Sequence, residues 1–477
     1  MPVRDPMRLK FWEVLSRADL DKIHDDTLTV LEQTGVDVHE DRSRTLLAAA
    51  GARVEGKRVF IGPGLVRDAL DKAPKEITIY NREGESAMRL APGYVYYGTG
   101  SDVTCYIDPA THERRRTDLD SIRMTARLAD ALPNLDFVMS MGTAPEAPAE
   151  RADQHHFAAM AESTTKPIMF TAQSEQGAKD IARMCSAVSG GGEAFAAKPF
   201  AILYAMPTAP LSHTKEALSV LLAAAEAGIP AVYSAAPLMG ASGPITIAGS
   251  LVVANAEMLS GLVIQQLHRP GAGFIHGPLV GPLHMRTMIN HYCGPESTLA
   301  CVAEAQLCRY YNLPVFHVGG SSDSKLLDQQ AAAEASMSLL TAAIAGGNLI
   351  HDVGYLESGL CASPELMTFS DEIIDQVRFI LRGIDVSDQS NLLGDIAEVG
   401  PGGTFLYQES TLQRFRETVW YGHIIDRNIH EEWIKAGAEN AGARIRRRTL
   451  ELLADHKPKP LDADTHAEVW AIATGRA

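Results

Sequence analysis

The chain is 477 residues long, carries a net charge of -16, and is 46% hydrophobic and 21% charged. This is the composition of a globular protein with a large apolar core, and the length admits two or three domains or one barrel with additions. The acidic balance excludes a nucleic-acid binder, whose footprint would be a basic patch.

The first 90 residues stand apart from the rest of the chain. Residues 20–35 read as an amphipathic helix, with Ile23, Leu28 and Leu31 on its apolar side and Gly35 as its stop. A second short helix is expected over 41–50, a hairpin over 54–61 and a further strand over 76–80. Residues 1–90 are therefore expected to form a small α+β cap.

From Tyr94 to Leu381 one pattern repeats eight times: a short apolar strand, a polar or glycine-rich turn, then a helix. The strands are expected at 94–97, 136–140, 167–171, 200–205, 230–234, 272–276, 314–318 and 348–352. The helices are expected at 119–131, 150–162, 176–188, 213–227, 246–268, 296–310, 327–345 and 370–381. The strands are apolar on both faces, as strands buried in a parallel barrel must be. Gly and Pro mark several of the return turns, among them Gly228-Ile-Pro230 and Gly346-Gly347. The fold class is thus α/β, a (β/α)8 TIM barrel over 91–384, with the N-terminal α+β cap before it and a C-terminal helical extension over 385–477 after it.

Six cysteines stand at 105, 185, 293, 301, 308 and 361 without a C-x-x-C pair, so a reduced cytoplasmic setting is expected and no zinc signature is present. The N-terminus lacks the apolar core of a signal peptide. The longest apolar stretches are broken by Gly, Pro or polar residues, and no membrane span is expected.

In such a barrel the chemistry lies at the carboxyl ends of the strands. The first strand ends in Gly98-Thr-Gly-Ser-Asp102, where a lone G-x-G is read as a turn and Asp102 as either a turn cap or a site residue. Only one of the adjacent Tyr96 and Tyr97 can point into the barrel. Strands three to six end in uncharged turns, which does not suit a phosphorylated substrate. Lys325 lies several residues past its strand, and is read as a salt-bridging lysine rather than a Schiff-base nucleophile. The pair His155-His156 is read as packing or capping.

The last two strand ends are the richest: His317-Val-Gly-Gly-Ser-Ser-Asp-Ser-Lys325 and His351-Asp-Val-Gly-Tyr-Leu-Glu357. One strand-end histidine is often a satisfied core residue, but three, at 276, 317 and 351, with Asp323 and Asp352 nearby, favour a functional pocket. A divalent metal is possible in principle with His and carboxylate ligands, but no tight ligand spacing supports one. An acidic, aromatic mouth with few basic groups suits a cation.

The string Gly319-Gly-Ser-Ser-Asp-Ser-Lys325, followed by Asp328-Gln-Gln-Ala331, Glu334 and His351-Asp-Val-Gly-Tyr-Leu-Glu-Ser-Gly359, resembles the trimethylamine methyltransferase superfamily. Leu31-Glu-Gln-Thr-Gly-Val-Asp37 and Tyr97-Gly-Thr-Gly-Ser-Asp102 are similar to its opening helix and first barrel turn. The resemblance covers roughly residues 15 to 470. It implies a barrel enzyme that moves a methyl group from a methylated amine to the cobalt of a separate corrinoid protein. The family archetype uses pyrrolysine; this chain contains only the twenty standard residues and resembles the branch without it, whose members act on quaternary amines such as glycine betaine. A quaternary nitrogen leaves as a neutral amine, so no general base is required. The enzyme's task is to hold the cation, aim a methyl and exclude water.

On that reading Tyr97 and Tyr355 are the expected cation-facing rings, with Phe316 beside them. Asp102, Asp323 and Glu357 would supply compensating charge, and His276, His317 and His351 would hydrogen-bond a substrate carboxylate. The backbone N–H groups from Gly319 to Ser322, including Gly320 and Ser321, are further donors for it. No catalytic residue is named and no tightly bound cofactor is expected, the corrinoid being supplied by the partner. A homo-oligomer is expected from the helical extension. Two rivals stay open: a metal-dependent barrel hydrolase or lyase, and a betaine-binding subunit without turnover.

Overall fold

The structure is a computed structural model and describes residues 3–476. Its centre is a closed ring of eight parallel strands: β1 (Tyr96–Tyr97), β2 (the bridged residues 137 and 138), β3 (Ile168–Phe170), β4 (Ala201–Ala205), β5 (Ala231–Tyr233), β6 (Phe274–His276), β7 (Phe316–Val318) and β8 (Leu349–His351). Strands β3 to β6 pair in order, as do β7, β8 and β1. Parallel bridges Gly98–Phe137, Val138–Ile168 and His276–Val315 close the remaining joints. The second strand is reduced to bridges because Phe137 leans across Gly98, where any Cβ would strike its ring.

Each strand is followed by its helix: α1 (Leu119–Ala131), α2 (Ala152–Ser163), α3 (Glu175–Ser189), α4 (Lys215–Glu226), α5 (Ile247–His268), α6 (Pro295–Tyr310), α7 (Gln329–Ala345) and α8 (Pro364–Leu381). Side-chain oxygens cap many of the starts, as Asp118 does for α1, Ser174 for α3 and Asp328 for α7. The eighth helix begins six residues earlier than its periodicity predicts, because Ser363 caps it and Pro364 fills the first turn.

Inside the ring, Tyr96, Phe137, Met139, Met169, Ile202, Val232, Ile275, Phe316 and Leu349 form one core. The hairpin Ile77–Tyr80/Ser86–Leu90 closes the strand-start end of that core with Ile77, Ile79, Met88 and Leu90. The barrel is therefore packed solid below its mouth.

The long helix α5 corrects one expectation. It is long and apolar enough to cross a membrane by length and composition, yet it is largely buried. The N-terminal helices Arg17–Thr29, Asp41–Ala49 and Pro63–Lys72 pack on its outer side while the barrel covers its inner side. A helix sandwiched in this way is apolar all round. Among its polar side chains, Asn255 donates to Thr27 Oγ1 at 3.0 Å and to the Tyr311 hydroxyl at 2.7 Å. Helix Pro63–Lys72 and strand Ser86–Leu90 join the elements expected before residue 90.

At the strand-start end, Lys166 is buried and its ammonium donates to the carbonyls of Ala129, Leu132 and Leu135, each at 2.6 Å. These are carbonyls that the end of α1 and the turn after it leave without helical partners. Burial lowers the pKa of Lys166 to about 8. Lys166→Met would leave the Ala129 and Leu135 carbonyls without the ammonium and Leu132 with only the Leu135 N–H, and should destabilise the protein by about 3 kcal/mol. A urea midpoint within experimental error of the wild type would refute that account of α1's terminus.

Candidate active site

Strand alternation decides which strand-end side chains reach the mouth. Phe316 on β7, Tyr204 on β4 and His351 on β8 point inward and pack together, with ring centroids 4.1 Å apart for Phe316–His351, 5.4 Å for Tyr204–Phe316 and 5.8 Å for Tyr204–His351. Asp352 follows His351, its carboxylate against His351 Nδ1, and accepts the hydroxyl proton of Tyr292. Tyr355 turns back over the mouth and donates to the Ser101 carbonyl. Gly100 makes room for this arrangement: a Cβ there would strike both the Tyr355 ring and the Asp352 carboxylate.

Asp102 stands at the end of β1. It keeps an exposed surface although protein surrounds it, as a group lining a concave chamber does. Burial pushes its carboxyl pKa up, opposed by the hydroxyls of Ser101, Thr171 and Ser140. Thr171 also donates to Asp153 at 3.3 Å, and Asp153 accepts the Gln173 N–H at 2.7 Å. Burial, with Asp102 as a lesser cause, pushes Asp153 up to about 6.

The hydroxyls of Tyr204, Tyr292 and Tyr355 are all pushed up, first by burial and then by acidic neighbours, Asp352 in every case. No lysine or arginine is among the groups that shift them. The mouth thus gathers aromatic rings around Asp102 and Asp352, with no lysine or arginine acting on its tyrosines among the described residues. Asp102 and Asp352 both hold left-handed backbone, φ +59° and +72°, and Met141, Glu357 and Ser358 nearby do the same. Such strain in non-glycine residues gathers at functional sites.

Several expected residues fall elsewhere. Tyr97 is on the outer side of β1, its hydroxyl donating to the Leu339 carbonyl at 3.3 Å and its ring 5.4 Å from the Arg378 guanidinium, so it cannot face a ligand in the mouth. Its inward neighbour Tyr96 sits in the core, accepting the Arg89 N–H at 2.9 Å. His276 and His317 also point outward, against Cys308 and Cys301 of α6. Burial lowers them to about 3 and about 4, leaving neutral packing residues. The three histidines therefore do not converge.

Glu357 is already paired with Arg114 at 2.9 Å. Asp323 braces the loops instead of facing the chamber, accepting the Cys293 N–H at 3.1 Å and the Ser358 hydroxyl at 2.9 Å. Of the four N–H groups from Gly319 to Ser322, three are engaged within the protein: Gly319 with the His351 carbonyl, Gly320 with Ser338 Oγ and Ser322 with the Tyr355 carbonyl. Ser321 lies beside the Cys293 thiol at 3.5 Å. Gly320, at φ +77°, meets Leu339 and Val353 closely and serves packing. Among the expected residues, then, Asp102, Phe316, His351 and Tyr355 come together.

Sequence reading passed over Tyr204, Tyr292, Thr171 and Asp153. Tyr204 was findable, since it lies two residues after inward Ile202. Tyr292 sits in the long loop before α6, where no periodicity points inward. A cavity of about 360 Å³ lies away from this chemistry, among Tyr421, His423, Trp433 and Arg444 of the C-terminal extension. The rings and acids, not cavity size, identify the mouth.

Comparison with known proteins converges on one family. Residues 4–476 match the family model described as trimethylamine methyltransferase. The chain is 30% identical to the trimethylamine methyltransferase MttB of Desulfitobacterium hafniense (strain DSM 10664 / DCB-2), over 96% of this chain and 92% of that one. It is 29% identical to a glycine betaine methyltransferase of Desulfitobacterium hafniense (strain Y51), over 98% and 97%. Among solved structures, the monomethylamine methyltransferase of Methanosarcina barkeri is similar at TM-score 0.50 and 14% identity, covering 94% of this chain and 96% of that one. That last likeness concerns the fold, a TIM barrel.

The raised carboxyl of Asp153 has a consequence for stability. Below about pH 4 its side chain is protonated in both folded and unfolded chains. As pH rises towards 6 the unfolded carboxyl ionises while the folded one still holds its proton, so native stability falls, and the contribution is lost above about pH 6. Relative to Asp153→Asn, the wild type should lose about 2 kcal/mol between pH 4 and pH 6.5. Parallel stability curves for the two proteins across that window would contradict the assignment.

Proposed function

The chain belongs to the trimethylamine methyltransferase family and is a methyltransferase, and we propose that it takes a methyl group from a quaternary amine, glycine betaine first among them, and delivers it to the Co(I) corrinoid of a partner protein. The observation that carries this reading is the mouth in which Tyr204 and Tyr355 lie near Asp102 and Asp352, with Tyr292 on Asp352 and Phe316 against Tyr204, and no lysine or arginine acts on these tyrosines among the described residues. A quaternary ammonium has no N–H to donate, so it is recognised by ring faces and by compensating negative charge.

The division of work among the residues follows from the chemistry. The corrinoid, a co-substrate carried by its own protein, supplies the nucleophile. The rings position the cation so that one methyl points out of the barrel, and the carboxylates balance its charge until it departs as a neutral amine. No proton is transferred in that step, so the acids of the site are needed for charge and position rather than for proton transfer. His351 Nε2 is buried without a protein hydrogen-bond partner among the described residues, which leaves it as a polar atom open to a ligand.

The surroundings fit a reaction from which water is excluded. Met206, Ile245, Met285, Met288, Leu326 and Leu360, all on loops that follow barrel strands, are exposed around the mouth and offer an apolar rim for the carrier of the acceptor. The six cysteines are free, in keeping with a reducing cytoplasm. The rival reading of metal-dependent hydrolysis lacks a ligand set: no group of three or more His, Cys, Asp or Glu side chains placed to hold a metal occurs among the described residues.

The decisive assay mixes the enzyme with a reduced corrinoid protein and a panel of methylated amines. Glycine betaine should yield dimethylglycine together with the absorbance change of corrinoid methylation. Tyr292→Leu should raise KM for the amine roughly tenfold, the scale of one desolvated cation–ring contact. Absence of methyl transfer from every quaternary amine tested would overturn the proposal.

A further inference from the structure

Cys105 and Cys361 stand directly opposite each other in the parallel pair formed by strands Cys105–Ile107 and Cys361–Ala362. Opposed residues of a ladder project to the same face of the sheet. The Arg114 guanidinium, on the neighbouring strand Arg114–Arg116, acts on both thiols, and Cys105 acts on Cys361. Adjacent strands lie about 4.8 Å apart, and a disulfide joins Cα atoms roughly 4.4–6.8 Å apart. The pair can therefore join without backbone movement. The polar contacts of the two thiols are long, 3.8 Å from the Thr104 hydroxyl to Cys105 and 3.7 Å from Cys361 to the Ala362 carbonyl. The other four cysteines lie on α3, on α6 or in the loop before α6, where none faces another across a ladder.

The two strands continue the two segments that frame the mouth. Cys105 follows Asp102 by three residues, and Cys361 follows Tyr355 by six. The segments are already joined by Tyr355 on the Ser101 carbonyl and by Glu357 on Arg114. Tyr355 is 5% exposed and lies across the way in from the loop side. A ligand bound for Asp102 and Asp352 must displace it, and the contact with Ser101 must then break.

We propose that Cys105 and Cys361 form a reversible disulfide when a peroxide is present, and that the bond holds Tyr355 over the mouth and stops turnover. In the first step one thiol sulfur attacks an oxygen of hydrogen peroxide. The O–O bond breaks, a sulfenic acid forms and one water leaves. In the second step the other thiol attacks that sulfur. The S–S bond forms, the S–O bond breaks and a second water leaves, so the two thiols lose two electrons to the peroxide and their protons end in water.

Burial pushes the Cys361 thiol up to about 11, against the pull of Arg114. The bond therefore forms under excess oxidant and not in an ordinary reducing setting. The acceptor in the proposed function, Co(I), is a strong reductant that the same peroxide consumes. A mouth closed by oxidation keeps the amine out while the acceptor is lost. That use of the bond rests on the proposed function; the bond itself does not.

The test treats reduced full-length protein with millimolar hydrogen peroxide in the absence of any corrinoid, then removes the peroxide with catalase. Non-reducing peptide mass spectrometry should find the Cys105 and Cys361 peptides joined, and dithiothreitol should separate them. Hydrogen exchange over 353–362 should slow in the oxidised protein. Methyl transfer from glycine betaine to a reduced corrinoid protein should fall roughly tenfold or more, as for a locked lid, and return with dithiothreitol. Cys105→Ser should keep its activity through the same treatment; should it not fold, Cys361→Ala takes its place. Thiols at 105 and 361 that stay free, or that end as sulfinic acids, overturn the proposal. So does a joined pair with unchanged activity. If the reduced enzyme transfers no methyl group, the proposed function fails separately, and unchanged exchange over 353–362 in the joined protein then overturns the lock.

Discussion

In a closed ring of parallel strands, successive side chains point alternately into the barrel and out towards the helices, and the site depends on that restriction. Phe316, Tyr204, Thr171 and His351 meet at the mouth because they fall on the inward alternation of four different strands. Tyr97, His276 and His317 fall on the other alternation and become packing residues. Below the mouth the interior is filled by the hairpin of residues 77–90, so the chamber has a solid floor. A ligand can enter only from the loop side.

The loops over that floor are held by acids on the surrounding helices. Asp153 of α2, Glu257 of α5, Glu304 of α6 and Glu334 of α7 accept backbone N–H groups of Gln173, Leu211, Val280 and Asp323, at 2.6 to 2.9 Å. Burial raises Glu257 to about 7 and Glu304 well above its usual range. Glu372 of α8 does the same for residues 423 to 425, tying the C-terminal extension to the barrel. The mouth is thereby preorganised by groups that never touch a ligand.

The barrel was legible from sequence because its signal is collective. Eight apolar strands and eight helices recur, and most boundaries fall within two residues of their periodicity. What escaped was local. The strand after α1 is held by bridges alone, since Phe137 and Gly98 exchange bulk for space. The hairpin Gly281–His284/Ile289–Asn290 and the ring of Tyr292 sit in a loop whose path no repeating pattern encodes. In the site, Asp102, Phe316, His351 and Tyr355 were found because they are polar or aromatic at strand ends. His276 and His317 looked the same in sequence, and only the direction of each Cβ separates them. Residue type was readable; side-chain direction was readable only where the strand register was applied residue by residue.

The left-handed conformations of Asp102 and Asp352 carry an evolutionary implication. An ordinary residue at such a backbone position sits about 1 kcal/mol above glycine, so two of the most sensitive points of the mouth forfeit stability. A lineage selected only for heat resistance would drift to glycine there and lose its anionic pair. On the proposed reading, the acids at these sites trade endurance for the capture of a cation. Glycine at these two positions in a related chain would then indicate that the chamber has gone out of use.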